Sequence, residues 1–217
     1  MSLRELKKQQ TRERIADTAW RLFAERGFER VTVVEVARAA QVSEATVFNY
    51  FPAKEDLFFS RLEAFGEHLV EAVRTRPPGE SALSAFRRRL LRSEGLPARV
   101  EAGDADALAQ LRTVNRLIAD SPALQAREQQ AHAACVDALT AALAGGITAR
   151  VAASALFGVH RALVDHVRHR MLTDVAPATL ATEVRELATE AFALLENGMH
   201  DYGDSTGAAP SVHRSSH

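Results

Sequence analysis

The sequence predicts an all-α protein, with three short N-terminal helices followed by a larger helical bundle. Two observations favour this fold class. Strand signals are almost absent, because β-branched residues do not alternate with polar ones over any useful length. Apolar residues instead recur at helical spacing along most of the chain. The first such stripe, closed by Gly27, consists of Ile15, Ala19, Leu22 and Phe23.

The next two helices have clear start and stop signals. Thr32 opens the second helix, and Glu35, three residues later, completes a capping box. Ser43 is a suitable N-cap for a third helix that runs to about Tyr50. Pro52 then stops it.

Proline and glycine residues divide the remaining chain into longer helices. A fourth helix is predicted from residue 54 to about 76, and five more at 81–94, 104–119, 122–144, 148–171 and 178–199. The small, polar tail 201–217 is predicted to be disordered. We therefore predict a helix-turn-helix domain with a basic N-terminal arm at 1–56 and a helical domain at 57–200.

Composition narrows the class of protein. The 217 residues carry a net charge of −1, so a nucleic-acid partner would need a local basic patch. The single cysteine excludes a disulfide framework and fits a reducing compartment. The charged N-terminus does not resemble a signal peptide, and no apolar run approaches the roughly 20 residues of a membrane span. We expect a cytoplasmic protein with no membrane partner.

The second and third helices, joined by the stretch AAQVS, form a helix-turn-helix pattern. In that motif the second helix lies in the DNA major groove and contacts bases. Helical spacing predicts an inward face of Val42, Val47 and Phe51. It predicts an outward face of Glu44, Ala45, Phe48 and Asn49, with Thr46 and Tyr50 on the flank.

The outward aromatic ring favours DNA binding. An aromatic ring that faces water does not stabilise the fold, but it can contact a thymine methyl group or a sugar. Thr46, Tyr50 and Lys54 are placed to donate hydrogen bonds to phosphate oxygens. The alternative is that Phe48 only covers its own helix and that Tyr50 is an ordinary boundary residue. An excess of basic residues in the first fourteen positions supports the DNA interpretation: Arg4, Lys7, Lys8, Arg12 and Arg14.

The segment RERIADTAWRLFAERGFERVTVVEVARAAQVSEATVFNYFPAKEDLF, residues 12–58, resembles the DNA-binding domain of the TetR family of bacterial repressors. The resemblance implies a homodimeric repressor that binds a palindromic operator in double-stranded DNA and is released by a small-molecule inducer. It also implies a location in the bacterial cytoplasm, on the nucleoid. By position, Glu44, Ala45, Phe48 and Asn49 resemble the base-reading residues, and Thr46, Tyr50 and Lys54 the phosphate contacts. Thr32 and Ser43, which cap the two motif helices, complete the predicted DNA-binding set.

Four positions bear on how closely this motif follows the family. Gln41 stands in the turn where relatives usually have glycine, which costs on the order of 1 kcal/mol if its backbone is left-handed. Val33 lacks the hydroxyl with which many relatives contact phosphate, and Ala53 lacks the oxygen that caps their fourth helix. Glu44 would repel the phosphate backbone unless its carboxylate accepts a hydrogen bond from a cytosine amino group.

The last two helices each carry two apolar stripes, which is typical of helices shared between a core and a partner. Helix 148–171 is predicted to have one stripe of Ala152, Ala155, Val159, Ala162 and Leu163, and another of Leu156, Phe157, His160, Val164 and Met171. Small residues in the first stripe permit close approach of another helix. A symmetric four-helix interface between two copies of the chain is the simplest arrangement.

Six residues in otherwise apolar helix faces are candidates for a ligand pocket in the bundle: Phe65, Asn115, His132, Cys135, Phe157 and His160. For each the plainer alternative is a role in the core, since a lone histidine is more often a satisfied core residue and a cysteine a small buried apolar one. The sequence does not identify the ligand.

Two other classes of function stay open. An activator, or a metal-responsive regulator of the same fold, is the first alternative. A helical-bundle metalloenzyme is the remote one, suggested by His166 and His169 three residues apart. The chain lacks the paired Glu-x-x-His motifs of di-iron bundles, as well as nucleotide-binding and hydrolase motifs. We therefore predict no catalytic residues, no metal site and no cofactor.

Overall fold

The computed structural model describes residues 2–60, 64–92, 101, 103–173 and 176–198, and most of these residues are helical. These residues contain ten helices and no strand, so the all-α prediction is confirmed. The N-terminal helices are α1 Leu3–Arg26, α2 Val33–Ala39, α3 Glu44–Tyr50 and α4 Lys54–Phe59. The others are α5 Ala64–Arg74, α6 Ala82–Leu90, α7 Ala105–Asp120, α8 Pro122–Ala142, α9 Gly146–Leu172 and α10 Pro177–Asn197.

The predicted caps of the N-terminal helices are present. Gly27 ends α1 at φ 83°, a backbone conformation in the left-handed half of φ space that favours glycine. Thr32 Oγ1 accepts from the backbone N–H of Glu35, while Glu35 Oε2 accepts from the backbone N–H of Thr32. Ser43 Oγ accepts from the backbone N–H of Thr46. These local bonds fix where α2 and α3 begin, and hence the angle of the turn between them.

The predicted fourth helix appears as two described helices, α4 and α5, rather than one. Ser60 lies in a turn at the end of α4, where its hydroxyl donates to the carbonyl of Leu57. Residues 61–63 lie outside the described residues. Helix α6 also ends earlier than predicted, at Leu90, and the predicted disordered tail 201–217 lies outside the described residues.

A first buried cluster joins the three N-terminal helices to α4 and to the bundle. Its centre is aromatic, with the rings of Phe23, Phe28 and Phe58 between 5.0 and 6.4 Å apart. The bundle contributes its α7–α8 corner to the same cluster: Val114, Leu117, Ile118 and Leu124. The predicted boundary after residue 56 falls inside this cluster. The N-terminal helices therefore share a core with the bundle instead of standing apart from it.

A second buried cluster fills the bundle between α5, α6, α8, α9 and α10. Phe86, Phe157 and Phe192 are its largest fully buried side chains. Phe86 and Phe157 meet edge to face, with ring centroids 5.2 Å apart. Aromatic pairs in this geometry contribute about 0.5–1.5 kcal/mol beyond the burial of their surface.

The two predicted stripes of α9 need correction. Val159 and Leu163 are buried together with Leu156, because positions 156, 159 and 163 share one helical face. The opposite face is exposed and mostly small or apolar: Ile147, Val151, Gly158 and Ala162. By length and composition alone α9 would be long and apolar enough to span a membrane, and 33% of its most apolar stretch is buried inside the protein. Arg150 and Arg161 of this helix form ion pairs with Asp137 and Glu128 of α8, which places α9 in a helical bundle.

Gln41, in the turn between α2 and α3, has φ 55°, so its backbone is left-handed as considered above. We predict that Gln41→Gly raises the free energy of unfolding by about 1 kcal/mol, because glycine adopts this conformation without a steric penalty. Urea denaturation of the purified protein measures the change. The matched control is Gln10→Gly in the exposed face of α1, which should lower stability by about 1 kcal/mol. A loss of stability in both variants would contradict the assignment of strain to Gln41.

Candidate functional site

The third helix presents the face that its spacing predicts. Val47 and Phe51 are buried at 0% and 1% exposure, and Val42 packs partly buried against the same cluster. The outward residues Glu44, Ala45, Phe48 and Asn49 are all exposed, and Thr46 and Tyr50 are intermediate. The ring of Phe48 is 44% exposed. The protein itself therefore leaves this ring largely uncovered, which argues against the plainer alternative in which Phe48 serves its own helix.

The caps of the motif helices also hold polar side chains at the same surface. The hydroxyls of Ser43 and Thr46 lie 2.7 Å apart, so each restricts the orientation of the other. Thr32 is exposed and its hydroxyl donates to Glu35. Glu35 also pairs with Arg26 at 2.8 Å. The backbone and side-chain bonds from Thr32, with Arg26, lower the pKa of Glu35 to about 2, which keeps the capping carboxylate ionised.

Lys54 lies at the first turn of α4 in a half-buried position. Its Nζ is 4.1 Å from the centroid of the Phe28 ring, within the range of a cation–π contact. Burial lowers the pKa of Lys54, opposed by Glu29, Glu55 and Glu35. Arg12 makes a similar contact from α1, with its guanidinium carbon 5.0 Å from the centre of the Phe51 ring. The aromatic core thus orients two cations beside the motif.

The basic N-terminal arm is helical in the structure, because α1 begins at Leu3 and is capped by Ser2. Its cations other than Arg12 are exposed: Arg4, Lys7, Lys8 and Arg14. Among the described residues these side chains are available to an anionic polymer approaching the N-terminal end of the molecule.

The bundle contains a cavity of about 430 Å³ between α5, α7, α8, α9 and α10. All six residues predicted for a ligand pocket line it: Phe65, Asn115, His132, Cys135, Phe157 and His160. Most of the other lining side chains are apolar. The structure therefore brings together residues from four helices that the sequence could only nominate one by one.

Aromatic and imidazole rings form one wall of the cavity. His160 stacks on Phe65 with centroids 5.6 Å apart, and both His132 and His160 meet the Phe157 ring edge to face at 5.9 and 6.0 Å. The Nδ1 atom of His160 is hidden from water and has no hydrogen-bond partner among the described residues. Burial, reinforced by His132, lowers the pKa of His160 to about 4. Burial also lowers the pKa of His132. Both imidazoles are thus neutral at physiological pH.

A charged cluster that the sequence did not predict joins α8 and α9 in the wall of the cavity. Glu128 of α8 accepts from Arg168 Nη2 at 2.5 Å and from Arg161 Nη1 at 2.9 Å. Asp165 accepts from Arg161 Nε at 3.0 Å. Glu128, Arg161 and Arg168 all line the cavity. The seven-residue spacing of Arg161 and Arg168, which places them on one face of α9, is the signal that could have identified them.

Gly66 of α5 and Cys135 of α8 lie against each other in the cavity wall. A Cβ atom added to Gly66 would lie only 2.6 Å from Cys135 Sγ, which is closer than real side chains approach. Asn115, buried at 5% exposure, donates from Nδ2 to the carbonyl of Leu111 at 2.8 Å, so this amide is anchored in its own helix.

Two polar links join the α7–α8 corner to the N-terminal helices. Ser121, buried at 1% exposure, donates from Oγ to Glu29 Oε1 at 2.5 Å. Arg127 donates from Nε to Asp56 Oδ1 at 3.0 Å. Asp56 in turn accepts from the backbone N–H of Ala53 at the start of α4, where the alanine offers no cap of its own. These two hydrogen bonds connect the α7–α8 corner, which contributes to the cavity wall, with the helices around the helix-turn-helix.

Comparison with known proteins identifies the N-terminal segment. Residues 15–60 match the family model described as bacterial regulatory proteins, tetR family. The chain is 34% identical over 84 residues to the HTH-type transcriptional regulator TcmR of Streptomyces glaucescens, covering 39% of this chain and 37% of that protein. It is 48% identical over 46 residues to the HTH-type transcriptional regulator LuxR of Vibrio harveyi, covering 21% and 22%. The chain thus spans well under half the length of these curated relatives.

Solved structures extend the likeness to the whole helical fold. The chain resembles native NalD of Pseudomonas aeruginosa, a secondary repressor of a multidrug efflux pump, with a TM-score of 0.54 and 20% identity over 84% of this chain and 96% of that one. It resembles SmeT, solved in complex with triclosan, with a TM-score of 0.54 and 17% identity over 84% and 91%. At these identities the likeness concerns the fold alone.

The buried imidazole of His160 generates a pH prediction. Its pKa of about 4 lies below the value near 6.5 in an unfolded chain, so the unfolded state binds more protons between these pH values. Relative to acid pH, the folded state therefore keeps its full free energy of unfolding above pH 6.5, where His160 is neutral in both states. It loses part of that free energy as the pH falls towards 4. Between pH 7.5 and 5 the wild type should lose on the order of 2 kcal/mol more unfolding free energy than His160→Phe, which keeps the ring but does not titrate. Urea denaturation at both pH values measures this; equal losses in the two proteins would contradict it.

Proposed function

We propose that this chain, a member of the TetR family of bacterial regulatory proteins, is a transcriptional repressor that binds a palindromic operator as a homodimer and leaves it when a small molecule occupies the bundle cavity. It acts in the bacterial cytoplasm, on the nucleoid. Regulators of this family are not enzymes, so membership also decides against the helical-bundle metalloenzyme. His166, one of the residues that suggested that alternative, hydrogen-bonds with Glu183 at 3.1 Å.

The observation that carries the proposal is the exposed, apolar-tipped face of α3. A short helix whose N-cap is satisfied, whose inner face is buried and whose outer face offers Phe48 beside Asn49 has the form of a major-groove reading helix. Asn49 can donate to and accept from an adenine edge, and Phe48 can contact a thymine methyl group. We assign Thr46, Tyr50 and Lys54 to the phosphates on either side. Thr32 and Ser43, the N-caps of α2 and α3, fix where these two helices begin at the same surface.

Release is proposed to pass through side chains that belong to both the cavity and the N-terminal core. Phe59, Val114 and Ile118 line the cavity and are also members of the first buried cluster. A molecule that displaces these side chains must also move their neighbours, because a close-packed core deforms little without repacking. A tilt of the α3 helices changes their separation, which must match major grooves about 34 Å or more apart.

We propose that the exposed face of α9, with α10 beside it, forms the dimer. Ile147 and Val151 are 83% and 63% exposed, which is unusual for side chains of this size within a regular helix. Around them lie small residues, Gly158 and Ala162, over which a second helix can approach closely. A two-fold symmetric pairing of this face suits a palindromic site.

The overall proposal is tested by mobility-shift assays with the intergenic DNA that flanks the gene, together with light scattering. We expect a protein of twice the chain mass that protects a palindromic site and whose presence lowers transcription from the adjacent promoter. A monomer that binds none of the flanking DNA would contradict the proposal. Stimulation of transcription by the bound dimer would favour the activator instead.

A second prediction separates base reading from positioning. Phe48→Ala and Asn49→Ala should each cost about 1–3 kcal/mol at particular base pairs and relax the sequence preference there. Tyr50→Phe and Lys54→Ala should weaken binding to all sequences about equally, and Lys54→Ala should lower the salt slope by about one unit. Titrations of the operator and of single-base variants at several salt concentrations measure both effects. The same sequence-blind loss in all four variants would refute the assignment of faces.

A third prediction concerns the dimer face. Val151→Glu should convert the dimer to a monomer and abolish operator binding, because the charge would be buried between the two copies without a partner. Sedimentation or light scattering gives the mass. The control is Leu3→Glu, which places the same charge on an exposed leucine at the start of α1 and should leave the mass unchanged. A Val151→Glu protein that remains dimeric would exclude this face.

A further inference from the structure

We propose that the cavity takes an uncharged, largely apolar molecule that carries a hydroxyl group, and that His160 is the residue that recognises the hydroxyl. This rests on the proposed function, since it names the chemical class of the molecule that would release the DNA. Three features of the cavity carry it: its apolar lining, the ion pairs between α8 and α9 in its wall, and one imidazole nitrogen that has no partner in the described part of the chain.

The size and lining of the cavity set the body of the ligand. A volume of about 430 Å³ falls in the range of sites for drug-sized molecules. Phe65 and Phe157 offer ring surfaces, and the remaining wall is mostly aliphatic, with Leu111, Val164 and Val184 among its members. Such a surface gains most from an aromatic or aliphatic body that excludes water.

The charged residues that α8 and α9 contribute to this part of the wall already pair with one another. Both oxygens of Glu128 are occupied, Oε1 by Arg168 and Oε2 by Arg161 and Arg168. Asp165 balances the second positive charge, at 3.0 Å from Arg161 Nε and 3.5 Å from Arg168 Nη1. A cationic or anionic ligand would have to break one of these ion pairs or lose its hydration without compensation, and either step is unfavourable. The matched cluster therefore favours a neutral ligand.

The imidazole of His160 supplies the polar contact. It lines the cavity, is held between Phe65 and Phe157, and has a hidden Nδ1 with no partner among the described residues. Buried polar atoms are seldom left in this state, so a partner from a bound molecule is expected. A neutral imidazole has one donor and one acceptor nitrogen, and a hydroxyl can both accept and donate. A hydroxyl therefore satisfies His160 in either tautomer.

The same residues argue against an acid as the recognised group. The protonated imidazole that would attract a carboxylate is disfavoured by burial, by His132 and by Arg161, which outweigh Glu128 and Asp165. Arg168 has a hidden Nε without a partner among the described residues, but its charge is already balanced, so it can accommodate a neutral oxygen as well as an anionic one.

The test compares four molecules that share one body. Isothermal titration calorimetry at pH 7.5 measures the Kd of 4-phenylphenol, biphenyl, biphenyl-4-carboxylate and 4-(aminomethyl)biphenyl with the full chain. The phenol is uncharged at this pH. We expect 4-phenylphenol to bind about five- to tenfold more tightly than biphenyl, as one net hydrogen bond in a buried site provides. Each ion should bind at least tenfold more weakly than the phenol.

Two variants assign the preference to a residue. In His160→Phe, which keeps an aromatic ring against Phe65, 4-phenylphenol and biphenyl should bind equally well. In the matched control His132→Phe, from the same wall, the preference for the phenol should persist. Thermal unfolding establishes that each variant is folded. If either is not, the wild-type series alone decides the ligand class.

The chain's single cysteine reports where the molecule binds. Cys135 lines the cavity, so 4-phenylphenol should slow its alkylation by iodoacetamide. Equal binding of phenol and biphenyl, tighter binding of either ion, no protection of Cys135, or no binding of any of the four compounds would overturn the inference. None of these measurements involves DNA. Phenol binding without release of the operator would leave the ligand class in place and count against the repressor mechanism.

Discussion

The corner between α7 and α8 joins the N-terminal helices to the bundle, and Ser121 makes the hydrogen bonds on which that corner depends. Its hydroxyl accepts from the backbone N–H of Leu124 to begin α8, and donates to Glu29 in the loop between α1 and α2. Its backbone N–H bonds to Ile118 at the end of α7. One buried residue therefore ends one helix through its backbone, and starts the next and bonds to the N-terminal helices through its side chain. Ile118 and Leu124, on either side, extend the aromatic cluster of Phe23, Phe28 and Phe58 into the bundle.

This corner gives the cavity and the helix-turn-helix a common structural element. Ile118 faces the cavity on one side and the aromatic cluster on the other, and Arg127, one turn into α8, bonds to Asp56 beneath the start of α4. Displacement of the corner by a bound molecule would move Asp56 and with it the orientation of α4. Coupling of this kind is reciprocal: a ligand that weakens DNA binding tenfold must itself bind the DNA-bound protein tenfold more weakly.

The local parts of the structure could be predicted from the sequence because they are decided within a few residues. The caps at Thr32 and Ser43 and the two faces of α3 follow from hydrogen bonds and periodicity that span three or four positions. The candidate DNA-binding residues are predictable for the same reason, since all but Thr32 and Lys54 lie on the seven-residue helix α3 or at its N-cap. The left-handed backbone of Gln41 could not be predicted from the residue itself, because glutamine gives no sign of it. Only the glycine that relatives usually have at this position points to it.

The parts that the sequence did not predict depend on distant contacts. Glu128 meets Arg161 and Arg168 across 33 and 40 residues of chain, so the spacing of the two arginines could identify them but not their partner. The faces of α9 were divided wrongly because both contain apolar residues, and only the packing of α8 and α10 decides which one is covered. Nor does periodicity reveal that the core of the N-terminal helices continues into α7 and α8.

The contact between Gly66 and Cys135 makes these two positions a single steric unit. With cysteine at 135, a side chain at 66 would clash with the Cys135 Sγ atom, so the thiol or the helix that carries it would have to shift. If position 135 were alanine, the nearest remaining atom would be its Cβ at 3.9 Å, an ordinary van der Waals distance. Related chains that have drifted from glycine at 66 should therefore carry a smaller residue at 135, and the pair should change together. In this way the spacing of α5 and α8 limits which residues can occur together at the two positions.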